Sequence, residues 1–241
     1  MLNRTEAEEH LRVIRSLMEK ATIYRAISAP TALAGGVFAC VATVALHQTR
    51  PEQEYEYAIP FLAIWIVVLL LTGFFNTFLL WRGSKLRGEP FLSSGMRLAL
   101  IAMLPGMLCG LFFSLVLGTW PNTFWLPPIW MICYAVALLA TKHFAPSSIK
   151  ILGWAFLVTG MVSFYLLFAW DFWGGSAAGS SIIHFAGHVD LAGQDAGRLP
   201  VSAFAYASNM LMGLTFGLFH LIYAACTWPR KSATSESAGE G

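Results

Sequence analysis

Five residues near the carboxyl end, Tyr206, Asn209, Gly213, Gly217 and His220, recur at a spacing that gathers groups able to do chemistry. At 3.6 residues per turn they fall within about a quarter of a helical wheel. A phenol, an amide and an imidazole would then share one face, with a Gly-x-x-x-Gly notch between them. Such a face suits close helix packing, its polar groups bonded to neighbouring helices. It also suits a ligand, haem or proton site around His220, or passage of a small solute past Asn209. Asn76, and Thr159 with Ser163, are the polar partners that other apolar segments offer.

A second set lies upstream, in Ser180-Ser181-Ile182-Ile183-His184-Phe185-Ala186-Gly187-His188-Val189-Asp190. His184 and His188, four apart, would share one face of a helix, a spacing that suits a divalent metal. Asp190, Asp195 or His47 would complete the shell. Against this stand the missing His-Glu-x-x-His pattern and Gly187, which weakens the aligning helix. The competing reading is a surface or re-entrant helix capped by Ser180 or Ser181. Cys40, Cys109, Cys133 and Cys226 show no Cys-x-x-Cys spacing and read as small packing residues.

Catalytic patterns fail when checked. There is no Gly-x-Ser-Gly to pair with a late histidine, no P-loop and no aspartyl dyad in adjacent apolar segments. Glu8-Glu9 starts like a Glu-Glu-x-x-x-Arg motif, but Arg12 comes one residue early. The 13 acids all lie in tails, loops or segment ends, with Asp171 at a margin. Ion-coupled carriers commonly keep ionisable groups at membrane depth. The expectation is therefore a protein that is not an enzyme, with ion-coupled transport disfavoured.

The elements that must position these residues follow from composition. Apolar residues make up 57% of the chain and charged ones only 12%, too few to cover a water-soluble surface of this size. Most side chains must therefore meet lipid. The net charge of +2 carries no basic cluster suited to nucleic acid. Six apolar runs can cross roughly 30 Å of hydrocarbon: Ala26–Leu46, Ala58–Trp81, Arg97–Gly118, Trp125–Thr141, Ile149–Trp170 and Ala203–Trp228. Pro127-Pro128 reads as a helix start, whereas Pro105 should kink the third span. With six spans, every lysine and arginine except Arg50 and Arg198 falls on one side. That bias marks the cytoplasmic face and places both termini there.

The expected fold is all-α, a polytopic membrane helical bundle of six transmembrane helices plus an N-terminal amphipathic helix. Residues 1–25 form that helix, 26–228 the membrane domain and 229–241 a disordered cytoplasmic tail. Thr5-x-x-Glu8 has capping-box spacing, and Ala7, Leu11, Ile14, Leu17, Met18 and Ala21 make an apolar stripe. The stripe suits the inner membrane surface or a membrane or cytoplasmic protein partner. The odd spans carry small residues: Ala34-Gly35-Gly36, Gly106-x-x-x-Gly110, then Gly153 and Gly160. Three repeated two-helix hairpins would explain this pattern.

Leu11-Arg12-x-Ile14-Arg15-x-Leu17-Met18-Glu19-Lys20-Ala21-Thr22, with Phe216-Gly217-x-x-His220-x-x-Tyr223 in the last span, resembles a family of six-span bacterial inner-membrane proteins. The resemblance implies a bacterial inner (plasma) membrane and no particular activity. Ala224 stands where that family tends to carry glycine. Three function classes follow: a regulatory or scaffolding membrane component, a small-solute permease using the Asn209–His220 face, and a haem- or metal-binding redox subunit.

Overall fold

The computed structural model describes residues 8–10, 12–13, 29–48, 54–88, 94–118, 123–141, 145–172 and 201–228. Every regular element among them is helical. In chain order these are α1 (Ala29–His47), α2 (Glu54–Arg87), α3 (Ser94–Leu117), a 3-10 turn (Thr123–Trp125), α4 (Leu126–Ala140) and α5 (Ser147–Phe172). The last span follows as α6 (Val201–Met212), a π-helical segment (Gly213–Phe219) and α7 (His220–Thr227), continuous along one axis. Of the N-terminal helix, residues 8–10 and 12–13 are helical and exposed; the rest of it lies outside the described residues, as does the tail.

Five of the helices are long and apolar enough to cross a bilayer. Their outward faces are bare leucine, valine, isoleucine and phenylalanine, as in Leu104, Leu108, Leu111, Phe112 and Leu115 along α3. Apolar surface on that scale is stable only against lipid. The chain is an all-α, multi-pass membrane protein.

The sixth expected crossing, α4, has only 15 residues. At 1.5 Å per residue it rises roughly 22 Å, and the 3-10 turn before it adds about 6 Å. Pro127 and Pro128 sit in its first turn, where the missing N–H groups would have no partner in any case. α2 departs the other way. Its 34 residues reach roughly 51 Å, past both ends of the Ala58–Trp81 run. Hydropathy marks where a span leaves oil, but the hydrogen-bond ladder continues through polar helix formers at either end. Lys85 folds back over Trp81, its ammonium 4.4 Å from the ring centroid. Gly88 then ends the helix at φ 66°, in the left-handed region. α3 passes through Pro105 as one helix.

The packing order differs from three equal hairpins. α1 lies between α2 and the last span, and α4 lies between α3 and α5. α5 therefore packs chiefly on α4, and the last span chiefly on α1. The glycines of the odd spans are the points of close approach. A Cβ on Gly106 would stand 2.7 Å from the carbonyl oxygen of Cys133, and one on Gly160 would stand 3.1 Å from Cβ of Met131. With Gly35 against Thr72 and Gly36 against Leu221, each such contact presses an odd span onto an even one.

Candidate functional site

The last span is held on two faces, and the face drawn from the sequence is divided between them. Tyr206, Asn209, Gly213 and Gly217 lie against α1. In α6 and at the end of α1 the rings of Tyr206 and His47 are 5.1 Å apart between centroids. One turn further in, the Asn209 amide nitrogen donates to the backbone carbonyl of Thr43 at 2.7 Å. Below that the seam shuts: a Cβ on Gly213 would lie 2.6 Å from Thr43 Oγ1, and one on Gly217 would lie 2.8 Å from Cys40 Sγ. With no room even for a methyl group there, no solute passes between the helices at those two positions.

His220 leaves this face and turns to α4 and α5. Its Nδ1 is 2.8 Å from the carbonyl oxygen of Phe216, and its Nε2 is 3.0 Å from the hydroxyl of Tyr134. A carbonyl oxygen can only accept, so Nδ1 carries the proton. Nε2 then offers its lone pair, and Tyr134 donates to it. The pair sits among aromatic rings. Tyr134 meets Phe156 edge-on at 5.0 Å, and Phe156 reaches Phe216 at 4.9 Å and Phe219 at 5.3 Å. Phe156 is fully buried in a cluster with Met131, Ala135, Leu138, Ile149 and Leu152.

The π segment accounts for the division. A helical wheel assumes 100° per residue, but an i→i+5 ladder turns less at each step. Seven such residues lag an α-helix by roughly one position. Leu221, one residue late, therefore fills the seam beneath Gly36, and His220 faces away.

Asn76 belongs to neither face of the last span. Its Oδ1 accepts from Thr31 Oγ1 of α1 at 3.0 Å, tying the first two spans. Elsewhere hydroxyls bond their own helix, as Thr215 does to the Leu211 carbonyl and Thr227 to that of Tyr223. That local bond is how a hydroxyl sits in oil at little cost. Trp130 Nε1 donates to Ser114, which donates in turn to the Gly110 carbonyl, joining α4 to α3.

His184, His188 and Asp190 lie outside the described residues, so the outer-loop metal set has no geometry here. Among the described residues no group of three metal-ligating side chains converges. His47 is exposed and neighbours Tyr206. The sequence reading missed Tyr134, Phe156 and Thr43. Tyr134 left a usable signal as the one phenol in the shortest, most apolar span; Thr43, whose carbonyl takes the Asn209 bond and whose side chain meets Gly213, left none.

Comparison with known protein families, with curated proteins and with solved structures gave no match to this chain.

Proposed function

We propose that this protein is a non-enzymatic component of a bacterial inner membrane, regulatory or scaffolding in role. In this reading it crosses six times with both termini in the cytoplasm. The lysine and arginine asymmetry supports that topology, as does the combined reach of α4 and its leading turn. The N-terminal signature and the Phe216-Gly217-x-x-His220-x-x-Tyr223 run support the bacterial assignment by resemblance alone.

The observation that carries the role is the engagement of the last span on both sides. Its glycine face is closed on α1, and both nitrogens of its only histidine are bonded within the protein. An imidazole so occupied has no free lone pair for haem iron or a metal, and a shut seam does not conduct. What remains for recognition is the surface outside the bundle, first of all the amphipathic sequence of residues 1–25. Its stripe of Leu11, Ile14 and Leu17 would seat on a membrane or cytoplasmic protein partner.

The test replaces Leu11, Ile14 and Leu17 with serine in the full chain. The expected result is loss of the proteins that co-purify with the wild type from native membranes, with thermal unfolding unchanged. Undiminished co-purification contradicts the reading. Proteoliposomes holding the wild type should swell in glycerol no faster than empty vesicles; faster swelling would favour a facilitator.

A further inference from the structure

The carboxyl end of α2 carries a lysine that turns toward the hydrocarbon rather than away from it. A lysine at the end of a span usually keeps its charged head in water. Lys85 instead folds back along its own helix, its ammonium 4.4 Å from the centroid of the Trp81 ring. Trp81 closes the apolar run, and Lys85 lies four residues beyond it, about 6 Å along the axis. The headgroup layer adds about 5–7 Å on each side of the hydrocarbon. The ammonium is therefore held at the depth of the lipid phosphates, on the edge of the oil.

The surroundings add positive charge and no negative charge. Trp81, Arg82 and Lys85 fall within about 100° of the helical wheel, and all three are exposed. From Ala58 to Gly88 the chain has no acid, and Glu89 lies past the turn at Gly88, outside the described residues. Among the described residues neither cation has a carboxylate partner. Toward mid-membrane Phe78 meets Trp81 at 6.1 Å, and Phe74 and Leu70 continue the exposed stripe. Two cations at the edge of oil call for a counter-charge, and the bilayer carries one in its phosphodiesters.

We propose that Trp81, Arg82 and Lys85 hold the headgroup of an anionic phospholipid, with its acyl chains along Phe78, Phe74 and Leu70. The phosphodiester sits between the ammonium and the guanidinium, which are neighbours at i, i+3. The guanidinium offers it a bidentate pair of N–H groups, and the indole N–H of Trp81 is a further donor at that height. A zwitterionic lipid fits less well. Its choline would meet two cations, and the ring on which a choline would stack already carries Lys85. The apolar stripe selects a lipid over a free anion, since soluble phosphate gains nothing from Phe78 or Phe74.

The test places the full chain, labelled with 15N-tryptophan, in phosphatidylcholine nanodiscs containing increasing fractions of phosphatidylglycerol. The indole resonance of Trp81, assigned by its loss in Trp81→Phe, should move saturably, while that of buried Trp65 stays. Arg82→Gln and Lys85→Gln should each weaken the apparent affinity roughly fivefold. Both variants should keep the Trp65 resonance, since both side chains are exposed. A Trp81 resonance that phosphatidylglycerol does not move overturns the proposal. So does a shift that both variants reproduce in full, which would report surface charge in general. Sodium phosphate that moves Trp81 equally in pure phosphatidylcholine discs would assign the site to a soluble anion and overturn it too. None of these outcomes depends on whether residues 1–25 bind a partner, or on which membrane face the site occupies.

Discussion

The two faces of the last span are stabilised by opposite means. Against α1 the contact works because side chains are missing: Gly36, Gly213 and Gly217 let backbone and small groups meet at van der Waals distance. Against α4 and α5 it works because side chains are large, with Phe156, Phe216, Phe219 and Tyr134 filling the space around His220. In a bilayer lipid tails are as apolar as leucine, so helices gain little by hiding from the solvent. Association must come from dispersion at short range and from hydrogen bonds, and the two faces reach these by subtraction and by addition. The seam should therefore fail when atoms are added, and the aromatic side when atoms are removed.

The largest effect should follow from emptying the aromatic side. Phe156→Ala leaves a cavity among four rings, those of Tyr134, Phe216, Phe219 and His220, and should lower stability by about 3 kcal/mol, read from unfolding in mixed micelles. A change under about 1 kcal/mol would show that these rings are only loosely packed. Next comes overfilling the seam. Gly213→Val drives methyls into Thr43 and should cost about 2 kcal/mol by the same measurement. Neutral behaviour there would dissolve the contrast.

A sharper version uses rescue. Gly217→Ala alone should destabilise by about 1 kcal/mol, because its Cβ meets Cys40 Sγ. Cys40→Ala removes that sulfur and should restore most of the loss in the double variant. Simple additivity of the two would mean that the atoms do not touch. The smallest effect is Thr31→Val, which deletes the bond to Asn76 and should cost about 0.6 kcal/mol, near the average for hydrogen bonds between spans. That bond lies on neither face, so it calibrates both.

Much of this architecture was legible in the residues. Apolar runs located the long helices to within a few residues, since the length of oil to be crossed dictates the length of the run. Pro127-Pro128 announced the start of α4. The glycines were recognisable as points of close approach, but not which helix each would meet: Gly36 faces the last span and Gly35 faces α2. The ends of α2 were hidden because hydropathy marks only the stretch that lies in oil, while the helix runs on beyond it at both ends. The functional face was half legible. Asn209, Gly213 and Gly217 do share a side, but His220 does not, since a wheel of 3.6 residues per turn has no means of anticipating a π segment.

The most direct test of this double engagement is the 15N spectrum of His220, assigned by comparison with His220→Asn. The geometry predicts a proton on Nδ1 and an Nε2 that accepts a hydrogen bond, with Tyr134→Phe moving the Nε2 resonance alone. A proton on Nε2, or an Nε2 signal indifferent to Tyr134→Phe, would contradict it.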